Sequence, residues 1–225
     1  MATSFMSKIS PKYRYAIVTV TLVLLGACGR GQRPTTPEDP FKAIGIAPLP
    51  VEALAGSGVL LLPVGALVLG DTAATDAGLV ARRYSLAAVA AAQLDSAVRR
   101  GAPAVKWMGL AEQRRALRMA PALGIDPARL ETGYLLNPRA ERLVDPLWAQ
   151  LRTLIALMDT RTAVAPAGVR IERQGAGFVA EYVLVLVDAR EGKVLGRGRM
   201  AGPPAATPEA ALALAAAATV PPPAH

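Results

Sequence analysis

The six residues 182–187 constrain the fold most. They read Tyr-Val-Leu-Val-Leu-Val, so both the odd-numbered and the even-numbered positions are apolar. Successive side chains of a β-strand point to opposite faces, so a strand of this composition needs cover on both. It lies within the apolar stretch 178–188, and a second such stretch, 193–200, follows the turn residues Arg190-Glu191-Gly192. This pattern predicts a β-hairpin whose first strand is central in a covered sheet.

The chain before this hairpin alternates between strand-length and helix-length apolar patterns. Residues 58–64 predict a buried strand with Pro63 at its end or at an edge, and residues 105–108 predict a second strand. Apolar residues spaced three and four apart predict a helix over 84–100, stopped by Gly101. A further helix is expected over 110–120, ended by Pro121, with a loop over 70–78.

Capping signals place the remaining elements. Asp145-Pro146 predicts the start of a helix that runs to Asp159, and Thr207-Pro208-Glu209 predicts the start of the last one. A helical turn is expected after Asp126-Pro127, and two short strands, 163–165 and 169–171, are expected on either side of Pro166-Ala167-Gly168. The order of elements predicts an α/β fold: a single domain over 58–220 with a mixed β-sheet packed by helices, an α/β sandwich.

The first residues have the pattern of an export signal. Lys8, Lys12 and Arg14 precede an apolar core at 16–25, and no acidic residue occurs before Cys28. A membrane-spanning helix needs roughly 20 apolar residues, more than this core provides. The core ends in Leu25-Gly26-Ala27-Cys28, an aliphatic residue and two small residues before the chain's only cysteine.

On these residues the segment 1–33 resembles a bacterial lipoprotein precursor. The resemblance implies a signal peptide over 1–27, recognition of Leu25, Gly26 and Ala27 by the signal peptidase, and fatty acylation of Cys28, for example with palmitate. Gly29 follows the cysteine. In enteric-type lipoproteins an aspartate at that place retains the protein in the inner membrane. The resemblance therefore implies that the protein is attached to the outer membrane and faces the periplasm. Attachment to the inner membrane remains the alternative.

The mature chain is moderately basic. Three of the 25 lysines and arginines lie in the leader, which leaves 22 against 17 acidic residues. This excess of positive charge could favour contact with an anionic lipid or lipopolysaccharide surface. The simpler interpretation is a basic face that is exposed to solvent. With Cys28 acylated no thiol remains for a disulfide. Proline and polar residues predict a lipidated tether over 28–57, and Pro221-Pro222-Pro223-Ala224-His225 predicts a disordered tail.

The order of elements in 58–202 resembles the CsgG-type envelope lipoproteins and the N-terminal domain of TolB. The shared features are the lipobox, the strand 59–64, a helix, and a late hairpin whose first strand ends in Asp188 and whose second restarts at Lys193-Val194. The resemblance implies accessory roles in periplasmic assembly, secretion or transport, through oligomers or partner proteins. Hairpins as long as those of the secretion channels are missing, so pore formation is not implied.

The sequence offers no candidate residues for most types of enzyme catalysis. The only histidine is His225 in the tail, and Ser57, Ser85 and Ser96 do not lie in a nucleophile elbow. Zinc lacks histidine and thiol ligands. Asp71 and Asp76 suit loop capping better than Ca²⁺ binding. Asp145 and Asp159 suit the two ends of a helix.

Three further motifs have simpler interpretations than ligand binding. Gly196-Arg197-Gly198-Arg199 lacks the third glycine and the following helix of a phosphate loop, so close sheet packing explains its glycines. The basic residues Arg114, Arg115 and Arg118 indicate a solvated helix face or contact with anionic headgroups rather than with nucleic acid. Trp107 and Trp148 are expected in the core or at its rim.

The sequence therefore predicts a lipid-anchored, non-catalytic accessory protein of the cell envelope. It would act by binding protein partners or by forming a homo-oligomer, with the membrane as its other partner and with no enzymatic activity, cofactor, metal or nucleic acid. A small-ligand-binding lipoprotein is the alternative, and a carboxylate-based envelope hydrolase is the third hypothesis.

Overall fold

A six-stranded mixed sheet lies at the centre of the structure, a computed structural model that describes residues 39–220. The strands are β1 (Gly58–Leu61), β2 (Leu67–Leu69), β3 (Lys106–Met108), β4 (Thr162–Gln174), β5 (Gly177–Asp188) and β6 (Lys193–Ala201). Their order is β3-β1-β4-β5-β6, and β2 pairs with β4 beyond the end of β1. β1 is parallel to β3 and β4, β2 is parallel to β4, and β4, β5 and β6 are antiparallel neighbours.

Helices lie on both faces of this sheet. The α-helices are α1 (Val51–Leu54), α2 (Asp71–Ala74), α3 (Ala77–Ala81), α4 (Arg83–Gly101), α5 (Leu110–Arg118), α6 (Leu147–Met158) and α7 (Pro208–Ala218). Three 3₁₀ turns, Pro121–Leu123, Pro127–Arg129 and Gly133–Leu136, connect α5 to α6. The predicted α/β class, with one mixed sheet packed by helices, is confirmed.

The predicted hairpin is confirmed, and its first strand is central. β5 lies between β4 and β6, and Asp188 pairs with Lys193 across the turn. Gly192 in the turn has a φ of 66°, in the left-handed region that favours glycine. Tyr182 and Leu184 are buried on one face of the sheet, and Val183 and Val185 are buried on the other.

The two faces carry separate hydrophobic clusters. On the first face, Leu86 and Leu94 of α4 and Leu212 of α7 pack with Val59 and Tyr182. On the second face, the cluster joins α5 and α6 to the sheet through Leu117, Leu147, Leu151, Leu154 and Val185. The protein is therefore a three-layer α/β/α sandwich, in which burial of apolar side chains on both faces is the main stabilising term.

The predicted helices are observed, with small differences at their ends. The threonine hydroxyl of Thr207 accepts a hydrogen bond from the backbone N–H of Ala210 at 3.2 Å, as expected for the cap of α7. Asp126 accepts from the N–H of Ala128 at 3.0 Å and caps the predicted helical turn. Asp145 does not occupy the N-cap of α6, which is Pro146, but its carboxylate accepts from the N–H of Ala149 at 3.2 Å.

Two local expectations were wrong. The predicted loop 70–78 contains α2 and the start of α3, and β2 was not predicted at all. The two short strands expected around Pro166 are one strand, β4, with a bulge between Pro166 and Gly168. The bulge accommodates the missing N–H donor of proline, so pairing with β5 continues on both sides of it.

The folded part also begins earlier than the expected boundary at residue 58, because residues 39–57 belong to the same compact unit as the sheet. Phe41 and Ile44 are buried in the cluster of the second face, whereas Leu49 and Leu54 are buried in that of the first. We call residues 39–50 the strap, since they pass from one face to the other around the β6 edge. Proline content predicts a spacer here, but these four buried apolar residues anchor the segment to the domain.

The predicted signal peptide, the lipidation site and the C-terminal tail lie outside the described residues. Within 39–220, none of the helices combines the length and the hydropathy that crossing a bilayer demands.

Candidate functional site

The residues to which the sequence assigned a function, Leu25, Gly26, Ala27 and Cys28, lie outside residues 39–220, and their roles stay predictions. The other candidates were carboxylates, and the structure separates them. Asp76 caps α3 by accepting from the N–H groups of Gly78 and Leu79 at 2.9 and 3.2 Å. Asp71 is the first residue of α2. No group of three or more potential metal ligands occurs in the part of the chain that the structure describes.

Asp76 also pairs with Arg173 at 2.8 Å. The hydrogen bond from the N–H of Leu79 lowers the pKa of the Asp76 carboxyl group. Partial desolvation opposes this effect, and the contacts with Gly78 and Arg173 add to it. A lowered pKa keeps the carboxylate ionised, which suits capping and does not suit a general acid. Asp145 and Asp159 lie at the two ends of α6, and Asp159 has a φ of 49° as its C-cap. Asp71, Asp76 and Asp145 lie at the starts of helices, where a carboxylate is favourable, whereas Asp159 lies at the end of α6.

An ion cluster lines the cavity at the carboxyl ends of β1 and β3. Arg99 of α4 donates to Asp95 at 2.9 Å and to Glu112 of α5 at 3.1 Å. The cavity has a volume of 560 Å³, and its walls include Leu61, Leu62 and the alanines of α4. The chain after β1 leads to α4 on the first face of the sheet, and the chain after the neighbouring strand β3 leads to α5 on the second face. The cavity lies at the point where these two connections leave the sheet in opposite directions. Ligands of α/β proteins commonly bind at such a point.

A second cavity, of 260 Å³, lies between β6 and the strap. We call it the β6 groove; it is lined by Ala47, Pro48, Leu49, Pro50, Leu184, Leu186, Leu195, Gly196, Arg197 and Gly198. Leu184 and Leu186 of β5 project from the first face and form an apolar wall. Gly196 and Gly198 are their partners on β6 and add no side chain above it. The groove is therefore an apolar depression beside the last strand of the sheet.

Backbone contacts fix the strap beside this groove. The N–H of Arg199 donates to the carbonyl of Gly45 at 3.0 Å, and the N–H of Leu49 donates to the carbonyl of Thr219 at 2.9 Å. A methyl group at Gly198 would overlap the carbonyl oxygen of Ala47, so only glycine permits this approach. The sequence interpretation of close packing at the glycines of 196–199 is therefore confirmed for Gly198. A methyl group at Gly196 would contact no atom within 4 Å.

Ion pairs fix the start of the strap on the second face. Arg170 of β4 pairs with Asp39 and lies over the ring of Phe41, with 4.1 Å between its guanidinium carbon and the ring centroid. On the neighbouring strands Arg199 pairs with Glu181 at 2.9 Å. Burial raises the pKa of Glu181, and the opposing charge of Arg199 limits this effect. Arg199 also donates to the carbonyl of Ile44 in the strap at 3.1 Å, so Arg170 and Arg199 both hold the strap in register. The sequence could not indicate this role because the partners are far apart in the chain.

Large apolar side chains are exposed at and near the β6 groove. Leu195, which lines the groove, is 52% exposed, and Ile46, which precedes the lining residue Ala47 in the strap, is 76% exposed. β6 itself is bridged at one end by Ile46, opposite Arg199, and at the other by Arg142, opposite Lys193. One signal for this site was present in the sequence, the alternation of glycine with other residues at 195–198. No local pattern indicated the strap that forms the other wall.

The tryptophans occupy packing positions, as expected. Trp107 is buried and its indole N–H donates to the carbonyl of Ala102 at 3.1 Å. Trp148 of α6 packs against Gly192 and lies beneath Arg152, at 5.4 Å from ring centroid to guanidinium carbon. The side chains of Arg114, Arg115 and Arg118 belong to α5, on the second face of the sheet.

Comparison with known proteins gives structural similarities at low identity. No family model matches the chain, and no curated protein matches it. The LpoB C-terminal domain from Salmonella enterica aligns with 10% identity and a TM-score of 0.34, over 65% of this chain and 82% of that one. Lipoprotein GNA1162 from Neisseria meningitidis aligns with 15% identity and a TM-score of 0.32, over 64% and 78%.

A PelC dodecamer from Paraburkholderia phytofirmans aligns with 13% identity and a TM-score of 0.32, over 78% of this chain and 91% of that one. At these values the similarities do not assign the chain to a family.

Proposed function

We propose that the chain is a lipid-anchored protein of the bacterial cell envelope that acts without catalysis, by binding a protein partner at the β6 groove. The anchor rests on Cys28 and the residues 25–27 before it. The protein then belongs at the outer membrane, facing the periplasm, because Gly29 stands where enteric-type lipoproteins of the inner membrane carry an aspartate. The resemblance of the element order in 58–202 to CsgG-type lipoproteins supports an accessory role in envelope assembly, secretion or transport.

The observation that carries the proposal is the apolar groove with its exposed borders. Leu195 exposes a large side chain beside the wall formed by Leu184 and Leu186, and Ile46, next to the lining residue Ala47 in the strap, is exposed as well. Contiguous exposed apolar surface favours association, because a partner that covers it removes this area from water. Arg197 is the single charged residue among the described residues that line the groove, and its guanidinium group already donates to the carbonyl oxygens of Leu135 and Ala140, so an aliphatic segment of a partner fits the groove better than a charged ligand.

The non-catalytic assignment rests on the use of the polar side chains. Asp76, Asp126 and Asp145 accept hydrogen bonds from backbone N–H groups at the starts of helical segments. Asp188 accepts from the backbone of the β5–β6 turn and from Arg161. The chain has a single histidine, the residue type that most often acts as a general base, and it is the last residue, His225.

Site-specific photocrosslinking in intact cells tests the partner-binding role. We expect a photoreactive residue at Ile46 or Leu195 to form a defined adduct with one protein, a different chain or a second copy of this one. The control probe is placed at Ser85, which is exposed on α4 outside the groove.

The variant Gly196→Leu provides the matched test, because a side chain there fills the groove without meeting any atom at its Cβ. It should abolish the adduct at Leu195 while the melting temperature stays unchanged. Adducts that are no stronger at Ile46 and Leu195 than at Ser85, or that persist in Gly196→Leu, contradict the proposal.

A second candidate function, binding of a small ligand, is favoured by the 560 Å³ cavity at the carboxyl ends of β1 and β3. Its alanine and leucine walls with the Asp95–Arg99–Glu112 cluster suit an apolar molecule with one polar end. Bound ligand raises the melting temperature by mass action, so a thermal-shift screen detects it. Ala92→Phe, which fills the cavity, should eliminate any shift that arises there.

A further inference from the structure

A surface on the second face of the sheet combines arginines with exposed apolar side chains. It consists of the last turns of α5, the 3₁₀ turn Pro121–Leu123 and the outer side of α6, and we call it the arginine face. Two cavities adjoin the turn. One, of 360 Å³, includes Arg114, Arg118 and Pro121 in its lining. The other, of 680 Å³, includes Leu123 and Arg152.

The charge of this surface is positive. Arg114, Arg118 and Arg152 line the two cavities, and none of them forms a salt bridge within residues 39–220. Of the described residues in the two linings only Asp126 is acidic, and it caps the next 3₁₀ turn and lies 3.9 Å from Arg129. The three guanidinium groups are therefore available to an external anion.

Exposed apolar side chains lie among these arginines. Met119, directly after α5, is 84% exposed, Leu123 is 42% exposed and Leu157 of α6 is 37% exposed. A solvated basic face, the simpler interpretation of the arginines, does not account for three large apolar side chains in water at the same place. Basic residues mixed with exposed apolar residues are the pattern of surfaces that lie in the interface of an anionic bilayer.

The position of the tether agrees with this interpretation. The strap enters on the second face, where Phe41 and Ile44 pack in the same cluster as Leu117 of α5 and Leu151 of α6. Asp39, the first described residue, pairs with Arg170 and therefore lies on the side of the sheet that carries the arginine face. The segment from Cys28 to Asp39 spans at most about 40 Å when fully extended, so an acylated Cys28 keeps the domain within about that distance of the membrane.

We propose that the arginine face binds the surface of an anionic phospholipid bilayer. Guanidinium groups pair with the phosphate oxygens of headgroups through two parallel hydrogen bonds, and Met119 and Leu123 enter the boundary with the acyl chains. This inference rests on the proposed lipid anchor for its setting. The face itself does not need the acyl chain in order to bind, so it can be tested without the anchor.

The test uses the chain from residue 28 onwards with Cys28→Ser, which cannot be acylated, and vesicles of phosphatidylcholine with or without phosphatidylglycerol. We expect co-sedimentation with vesicles that contain about 30% phosphatidylglycerol at low salt, little binding to pure phosphatidylcholine, and weaker binding at about 0.5 M salt. The double variant Arg118→Glu/Arg152→Glu should weaken binding at least about tenfold, since each basic residue near an anionic surface contributes about fivefold.

A matched control changes the same charge elsewhere. Arg100→Glu/Lys106→Glu alters α4 and β3 outside the arginine face, and it should weaken binding less than about threefold because these groups stay in solution. A second variant, Met119→Ser/Leu123→Ser, keeps the charge and should weaken binding about fivefold through lost apolar contact. Melting temperatures verify that each variant is folded.

Absence of binding to the anionic vesicles, or an equal loss in the two charge-reversal variants, overturns the inference. Neither outcome affects acylation of Cys28 or the adducts at Ile46 and Leu195, which test the proposed function. Failure of one therefore remains distinguishable from failure of the other.

Discussion

Asp188, at the end of β5, concentrates several hydrogen bonds on one nearly buried carboxylate. It is 4% exposed and accepts from the N–H groups of Arg190 and Glu191 at 3.0 Å each, and from Arg161 at 2.6 Å. Burial acts to raise its pKa, but the hydrogen bonds from Arg161 and from the turn outweigh it, so the pKa is lowered. The carboxylate fixes the turn that separates the two long strands.

Replacement of Asp188 should separate the backbone bonds from the ion pair. Asp188→Ala leaves two N–H groups without their acceptor, and we expect a loss of about 2–3 kcal/mol in the free energy of unfolding. Asp188→Asn retains an oxygen for those groups and loses only the pair with Arg161, whose side chain is 57% exposed, so it should cost about 1 kcal/mol or less. Urea denaturation measures both. Equal losses in the two variants contradict this assignment.

The same carboxylate predicts a pH dependence. Because its pKa is lower in the folded state than the unfolded value of about 3.9, its stabilising contribution is complete above that pH. It is lost as the pH falls through the folded pKa, where the carboxyl group takes up a proton. The difference in stability between the wild type and Asp188→Asn should therefore be constant near neutral pH and shrink in acid. Urea denaturation at a series of pH values measures this difference in the free energy of unfolding. A difference that grows in acid would contradict a lowered pKa of Asp188.

Two glycines on the same strand offer a matched pair. A methyl group at Gly198 overlaps the backbone of Ala47, whereas one at Gly196 is free of contacts within 4 Å. Gly198→Ala should destabilise the protein by about 1–3 kcal/mol, because the strap must move away from β6. Gly196→Ala should be neutral or stabilising by about 0.5 kcal/mol, because alanine restricts the unfolded chain. Thermal unfolding compares them, and similar effects would contradict the packing of the strap.

At the scale of elements, Tyr182 couples the central strand to the longest helix. Its hydroxyl group donates to the carbonyl of Ala90 at 2.9 Å, and both residues are fully buried. Burial raises the pKa of Tyr182 far above its usual range, so the hydroxyl group stays protonated and can donate. This bond crosses the interface between β5 and α4, and the surrounding apolar contacts of the first face are not directional.

Removal of the bond without loss of packing isolates its contribution. Tyr182→Phe should lower the free energy of unfolding by about 1 kcal/mol, the usual net value of one buried hydrogen bond. The control is Tyr84→Phe on the same helix, where the side chain is 90% exposed and no change is expected. Chemical denaturation measures the free energy of unfolding of both variants. If Tyr182→Phe leaves it unchanged, the packing alone holds α4 in place.

For the whole molecule, the predicted lipid anchor decides where the domain acts. Cys28 is the only cysteine, so metabolic labelling with a fatty-acid analogue reports on one site. We expect the protein to incorporate the label and to fractionate with membranes. One acyl chain holds a protein only marginally, whereas several make the attachment stable.

The control for labelling is Cys28→Ser, which should remain unlabelled and lose its membrane attachment in high salt. High salt is needed because it screens the separate contribution of the arginine face. An unlabelled wild-type chain that retains residues 1–27 would contradict the anchor.

The sequence by itself determined the elements whose signal is local. The unbroken apolar run 182–187 specified a strand covered on both faces, and Thr207-Pro208 specified the start of α7, because side-chain alternation and capping depend only on near neighbours. The tertiary structure alone decided that β4 continues past Pro166 and that the strap folds around the sheet edge. The strap bonds join Gly45 to Arg199 and Leu49 to Thr219, so their free energy comes from residues far apart in the chain, which no local pattern encodes.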